Sequence, residues 1–440
     1  MINTTATNIE TEKEVSNERN IKVPALRFNE FEEIIEESLF GNHYTFHSTN
    51  SLSRDKLNYN HGEVRNIHYG DIHTKFQTHF YLVKEHVPFI NDDVDLARIK
   101  EDSYCKVGDL VIADASEDYA DIGKCIELID INNERLLAGL HTFLARPSQE
   151  STSLGYMSFL LKSWKLRRQI MTIAQGTKVL SLSTGRVSKL KLNLPSLPEQ
   201  QKIASFLSSV DQKIQQLTTK KELLEQYKKG VMQKLFSREL RFKDKDGKAF
   251  PEWEEKYFKD IVIKYRLGGN YTNTEEETIY PLIKMGNLGR GTMNTKKLDY
   301  IPIDEEIDPK DKIRYGDLFF NTRNTLELVG KVSIWRNELP IAYYNSNLMY
   351  LKFDDNFFMN YRLNSYEGIK GLKRFATGTT SVAAIYTKDL LKLKLNIPCL
   401  EEQKKIATYL SSIDSKIENV NNQITLTQTF KKGLLQQMFV

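Results

Sequence analysis

This chain of 440 residues carries only three cysteines, Cys105, Cys125 and Cys399. None stands in a CxxC pair and the number is odd, so no disulfide framework or thiolate zinc site is spelled out. Inert thiols in a reducing cytoplasm are expected. No apolar run approaches the roughly 20 residues that a membrane span needs. The N-terminus, MINTTATNIETEKEVSNERN, lacks the apolar core of a secretory signal, and its polarity predicts a disordered tail over residues 1–22. There is no GxxxxGK[ST] phosphate loop, no HExxH and no Asn-Pro-Pro-aromatic stretch of the amino-methyltransferase kind. A strong overall charge is missing too, since the net value is only +4. From Ser196 to Lys243, however, 10 lysines and arginines stand against 5 acids. Local clusters, rather than bulk charge, must carry any argument for a nucleic-acid partner.

Metal and catalytic chemistry are thinly represented. His43 and His47 are spaced i, i+4, and His68, His73, His79 and His86 follow nearby. Tyr44 and Phe46 between the first two favour ordinary packing over a metal site. Glu254-Glu255-Lys256 looks like half of a nuclease site, yet no well-spaced partner acid accompanies it. No catalytic residue, cofactor site or metal ligand is assigned.

What the chain does have is a segment written twice. Lys191–Phe236 and Lys394–Phe439 align over 46 positions without a gap, at an offset of 203, with 22 identities. Such a repeat implies internal pseudo-two-fold symmetry, in which one chain imitates a dimer. In the first copy Ile203, Leu207, Val210, Ile214 and Leu217 step by 4, 3, 4 and 3, and Leu224, Val231 and Leu235 keep that register. Ile406, Leu410, Ile413, Ile417, Val420, Ile424, Leu434 and Met438 repeat the seam. This is heptad spacing. Pro198 with Glu199, and Glu401 with Glu402, suit helix starts. A helix of about 38 residues would run roughly 57 Å, too long to bury one seam against a single domain. The simplest partner is the other copy, lying antiparallel. Lys221, Lys228, Thr427 and Lys431 fall on seam positions as flaws, while Met232 and Leu435 add apolar surface that suits either a partner helix or local capping.

Fainter similarity links the segments before each helix. Leu26-Arg27-Phe28 matches Leu240-Arg241-Phe242, Gly108-Asp109-Leu110 matches Gly316-Asp317-Leu318, and Gly176-Thr177 matches Gly378-Thr379. Strands are expected at Leu110–Ala113, Thr142–Ala145, Leu318–Asn321 and Leu348–Phe353, and helical runs at Ser153–Ile173 and Phe357–Phe375. They do not alternate regularly, so the fold class is α+β rather than doubly wound.

Leu194-Pro195…Pro198-Glu199-Gln200-Gln201-Lys202-Ile203-Ala204…Leu207…Asp211, its second copy Ile397-Pro398…Glu401-Glu402-Gln403-Lys404-Lys405-Ile406-Ala407…Leu410…Asp414, and the Gly-Thr turns together resemble the specificity subunit of type I restriction–modification systems. One departure is Gln175-Gly176-Thr177-Lys178, where the second half keeps Thr377-Gly378-Thr379-Thr380. The resemblance implies two globular target recognition domains, each reading one half of a bipartite, asymmetric site in double-stranded DNA. They would be separated by two long conserved helices packed as an antiparallel coiled coil. The expected boundaries are a tail at 1–22, recognition domain 1 at 23–193, spacer helix 1 at 194–240, recognition domain 2 at 241–396 and spacer helix 2 at 397–440. The helices would set the spacing and dock two modification (methyltransferase) subunits, with restriction (motor/nuclease) subunits completing a cytoplasmic complex. S-adenosylmethionine would belong to the modification subunit, and ATP with Mg2+ to the restriction subunit. This chain would hold no cofactor and catalyse nothing by itself.

On that reading, phosphate contacts are expected from Lys162, Lys165, Arg167 and Arg168, with Arg362, Lys370, Lys373 and Arg374 as their counterparts. Base contacts are sought at His68, Asp71, His73 and Lys75, at Lys284, Asn287 and Arg290, and at Arg323 and Asn324. Thr177, Lys178, Thr379 and Thr380 lie on turns whose amides suit a phosphate. The coil or subunit interface is assigned to Ile203, Leu207, Val210, Ile214, Leu217, Met232, Leu235, Ile406, Leu410, Ile413, Ile417, Val420, Leu435 and Met438. For each charged residue the competing role is a solvated helix face, and for each turn a plain chain reversal. The alternative function is a coiled-coil scaffold that organises proteins without touching DNA.

Overall fold

Leu-Val-Ile-Ala at 110–113 and Leu-Phe-Phe-Asn at 318–321 offer almost nothing but apolar side chains, which calls for strands buried on both faces. A computed structural model describes residues 23–148 and 151–440, and both strands are central and fully buried in it. The tail expected at 1–22 lies outside the described residues. The chain divides into two compact units, one formed by residues up to Gln216 with Ile424–Val440, the other by Leu217–Gln423.

In the first unit β1 (Tyr44–His47), β2 (Leu110–Ala113), β3 (Cys125–Asp130) and β4 (Thr142–Pro147) stand in the order β1-β4-β2-β3, with His79–Tyr81 at the β3 edge. Leu110 and Ile112 face a helical layer, while Val111 and Ala113 face a second core beneath a four-stranded sheet. This is period-two alternation between two apolar environments. In the second unit β5 (Lys264–Leu267), β6 (Leu318–Asn321), β7 (Val332–Ile334) and β8 (Leu348–Lys352) repeat the order as β5-β8-β6-β7. Leu318 and Phe320 face the helices there, and Phe319 the opposite core. The two units are thus mixed α and β, built on one plan.

Both expected helical runs are real but broken. Tyr156–Leu160 is followed by Trp164–Ile173, and Asn356–Asn364 by Tyr366–Lys373. Ser163 and Ser365 cap the second piece, their hydroxyls accepting from the Leu166 and Gly368 amides. A serine at this point offers the backbone a better partner than another helical turn.

The long helices span Leu197–Phe236 and Leu400–Gln437, so the spacer boundaries overshoot the helices by a few residues at each end. Their starts are anchored alike. Arg27 holds Glu199 through two bonds of 2.8 and 2.7 Å, and Arg241 holds Glu402 through two of 3.2 and 3.0 Å. Glu199 and Glu402 are buried, so bidentate arginines neutralise charges that the helix starts already favour. This explains why Leu-Arg-Phe opens each half. Gln200 and Gln403 each donate back to a proline carbonyl, of Pro195 and Pro398, at 2.9 Å.

Within the first unit Ile203, Leu207 and Val210 pack with Leu434, Met438 and Phe439 from the end of the other long helix. Within the second, Ile406, Leu410 and Ile413 pack with Val231, Leu235 and Phe236. Start meets end in both, so the helices run antiparallel where they touch. Each seam also enters its own domain's core, which the heptad pattern alone did not indicate. Ile214 and Leu435 are partly buried against the first cluster, Met232 and Ile417 against the second, and Leu217 and Val420 are buried. The partial burial of Met232 and Leu435 fits local capping.

Two of the polar seam positions, Lys228 and Lys431, are not flaws. Lys431 pairs with Asp211, and Lys228 with Asp414, which also accepts from Tyr361 at 2.6 Å. Both pairs join repeat-equivalent residues. A buried apolar side chain contributes about 1.5–3 kcal/mol, and a partly exposed ion pair about 1 kcal/mol or less. The seam therefore supplies the stability and the ion pairs select the register. Lys431→Glu should destabilise the chain by about 1–2 kcal/mol, because it sets two negative charges together in a half-buried site. Adding Asp211→Lys should recover most of the loss of denaturation midpoint.

Candidate nucleic-acid interface

Several residues expected to meet DNA are committed to the fold. Asp71 is buried against Arg54 at 2.7 Å and Lys75 at 2.8 Å. Burial alone would raise its carboxyl, but the two cations outweigh this and hold it below the usual carboxylate range. His68 caps the helix Tyr69–Thr74 by accepting from the Gly70 amide, and burial lowers its pKa. Asn287 is buried, accepting from the Lys284 amide and donating to the Asn294 and Lys297 carbonyls. Arg362 is buried on the Asn396 carbonyl, Ser365 and Glu367. None of these four can read a base edge as placed.

Lys162 is a further correction. Its ammonium sits on the Thr78 hydroxyl, and burial, then the nearby Lys431 charge, push its pKa down to about 8. A phosphate anchor needs an exposed cation, and this lysine is not one. Arg167 is spent on the Tyr119 and Ala120 carbonyls at 3.2 and 3.1 Å, Lys284 on Asp299, and His73 on the Ala115 carbonyl at 3.0 Å. Lys75 stays exposed beside Asp71. Lys165, Arg168, Arg290, Lys370, Lys373 and Arg374 remain exposed, as do Thr177, Lys178, Thr379 and Thr380.

The second unit brings four candidates together. Arg323–Asn324 pairs with Ala383–Ala384, which pairs with Thr377–Gly378, making a three-stranded ribbon whose tip carries Thr379 and Thr380. Leu326 donates to the Thr380 carbonyl at 3.1 Å, and Arg290 to the Glu327 carbonyl at 3.3 Å, so a neighbouring loop and a third segment join this face. Arg323 is exposed, while the Asn324 side chain is turned to the Thr325 amide at 2.8 Å. The first unit has the same hairpin. Leu180–Ser181 pairs with Ala115–Ser116, ahead of the exposed Thr177 and Lys178. Ala115 and Ser116 stand where the second unit has Arg323 and Asn324.

Gly176 and Gly378 share one backbone state, with φ of 126° and 127°. A Cβ on either would run into the carbonyl of Val179 or Val382. Only glycine fits such a turn, and the variant Gln175-Gly176-Thr177-Lys178 keeps it. The histidines fall into separate local roles: His43 ends a short helix and bonds Ser38, and His47 lies on β1, so the two do not share a helix face. Among the described residues no group of three His, Cys, Asp or Glu could hold a metal ion, and no helix is long and apolar enough to cross a membrane. The sequence pattern missed Arg54, which serves the buried Asp71, Arg336 and Tyr361, which serve the half-buried Asp414, and the Asp–Lys pairs, which the 203-residue offset does encode.

Residues 60–226 and 251–428 match the model of the type I restriction modification DNA specificity domain. The chain belongs to that family. It is 29% identical over 213 residues to a Methanocaldococcus jannaschii chain described as the MjaX specificity subunit, spanning 46% of this chain and about half, 49%, of that relative. It is 21% identical over 404 residues to the type I restriction enzyme StySPI specificity subunit of Salmonella potsdam, covering 84% of this chain and 85% of the other. Its fold is shared by the crystal structure of the type I restriction–modification S subunit from M. genitalium, with a TM-score of 0.57 at 14% identity over 95% of this chain and 99% of that one.

The lowered Lys162 pKa makes a pH prediction. An unfolded lysine binds its proton more tightly than this folded one, so stability rises as pH climbs from about 8 towards 10.5. Lys162→Met should raise the denaturation midpoint at neutral pH and flatten that part of the rise.

Proposed function

We propose that this chain is the specificity subunit of a type I restriction–modification complex, non-catalytic in itself and acting in the cytoplasm. Each unit reads one half of a bipartite, asymmetric site in double-stranded DNA. One observation supports this above the others: the same α/β plan occurs twice, each copy clamped by a bidentate arginine to the start of a long helix that meets the end of the other. Two readers on one rigid spacer suit two half-sites on one face of a duplex, about one turn of roughly 34 Å apart. The domains at 23–193 and 241–396 are the readers on this account. The helices form an antiparallel coiled coil related by a pseudo-two-fold axis, and they dock two modification subunits. S-adenosylmethionine is held by those subunits, and ATP with Mg2+ by restriction subunits, not by this chain.

In the second unit the ribbon reads bases. Arg323 is the exposed donor fork and suits the O6 and N7 edge of guanine. Thr380, with Thr177 and Lys178 in the first unit, sits on a turn whose amides suit a phosphate, while the Thr379 amide is bonded to the Val382 carbonyl at 2.8 Å. Arg290 steadies the ribbon's neighbouring loop.

Selection from randomised duplexes, with the modification subunit present, tests the proposal. A bipartite motif with a fixed gap is expected; absence of any motif at all salt concentrations would return the chain to a scaffold role. Arg323→Ala should relax one position in one half-site, losing about 1–3 kcal/mol of discrimination, and leave the other half unchanged. Inserting four residues after Leu217 and four after Val420, equivalent seam positions, should lengthen the spacer by about 6 Å. The selected gap should then widen by about one or two base pairs.

A further inference from the structure

The two recognition units must meet different bases but the same sugar–phosphate chain. Exposed chemistry that differs between the copies can serve sequence, whereas exposed chemistry that repeats suits a target common to both halves. One surface repeats in this way outside the ribbons. In the second unit Lys370, Arg374, Lys392 and Lys394 line one concavity with Tyr366 and a single acid, Glu367. Glu367 is already bonded to the buried Arg362 at 3.0 Å. Tyr366 is 76% exposed, and the Lys370 ammonium lies 5.8 Å from its ring.

The first unit carries most of the equivalent set, with Thr172 standing where the second has Arg374. Trp164, 56% exposed, stands at the start of the matching helix, with Arg168 one turn on. Lys189 and Lys191 are exposed at the positions equivalent to Lys392 and Lys394. Gln169 ties that helix to the strand, bonding the Lys191 amide and carbonyl, each at 2.9 Å. Three of these lysines have acid neighbours: Lys191 with the exposed Glu37 at 2.9 Å, Lys394 with the exposed Glu255 at 2.7 Å and Lys392 with the partly buried Asp389 at 2.9 Å. The two exposed pairs, at Lys191 and Lys394, are of a weak kind that exchanges readily for another anion.

We propose that these two patches are sequence-independent grips on the duplex phosphates, a site separate from the ribbons. The inference rests on the chain being a DNA-specificity subunit. Lysine is depleted in protein interfaces and typical of phosphate contacts, which favours nucleic acid over an acidic protein face. In the second unit the patch is also continuous with the turn: Arg374 comes just before Thr377–Gly378 of the ribbon. An exposed aromatic beside the cations offers apolar contact to sugar without reading a base.

The test uses the full chain assembled with its modification subunit. Lys392→Gln with Lys394→Gln, and separately Lys189→Gln with Lys191→Gln, are compared with the matching Lys→Arg variants. Binding is measured against salt, on a duplex bearing the selected motif and on a scrambled one. Each glutamine pair should reduce the slope of log affinity on log salt by about 1.8, and weaken both duplexes by the same factor of about ten, while the arginine pairs retain the wild-type slope. The selected motif should not change. An unchanged slope on both duplexes overturns the inference. So does loss of the modification subunit with the slope retained, which would assign the patch to an acidic protein surface. Failure of the wild-type complex to prefer any motif would instead sink the DNA-specificity reading itself.

Discussion

A helix of 40 residues carries more apolar seam than one small domain can cover, and that constraint organises the molecule. Each long helix gives its first half to its own domain and its last turns to the other unit's core. The seam residues supply the free energy. The Asp211–Lys431 and Asp414–Lys228 pairs then choose one antiparallel register, because any slip would leave half-buried charges facing apolar side chains. At the opposite end of each half-seam, Arg27 on Glu199 and Arg241 on Glu402 fix the domain to its helix. Packing joins the readers to the spacer, and charge fixes the alignment.

Duplication explains what stayed and what changed. Clamps, proline-bonded glutamines, serine caps and glycine turns recur at equivalent positions, since each satisfies a backbone or buried charge that the plan cannot leave open. The outer layers differ: a four-stranded sheet lies over the first core, and a three-stranded one over the second. The ribbon positions differ as well, with Ala115 and Ser116 against Arg323 and Asn324. A shared scaffold with divergent rims suits two readers of unlike half-sites.

Much of this could be read in the sequence, for a physical reason. Heptad spacing and a gapless repeat are periodic signals that survive without coordinates, so the long helices, their direction and the α+β class were accessible. The strands Leu110–Ala113 and Leu318–Asn321 announced themselves as uniformly apolar. The candidate site was far less legible. Asp71, Asn287, Lys162 and Arg362 look like surface polar residues by type, but each is bound by groups distant in sequence, such as Arg54, Lys297, Thr78 and Asn396. Whether a lysine faces water or a threonine is decided by packing that no local pattern records. The ribbon was only half visible: its glycine turn was plain, while its pairing with Arg323–Asn324 joins segments about 60 residues apart.

The proposal beneath the rest is that the paired long helices hold two readers at one fixed separation. Spin labels on Thr177→Cys and Thr379→Cys, in a chain whose three native cysteines are replaced by serine, measure it directly by double electron–electron resonance. A single narrow distance, unchanged when the motif-bearing duplex is added, is the expected result. A broad or multiple distribution in the free chain would show that the helices do not act as a ruler.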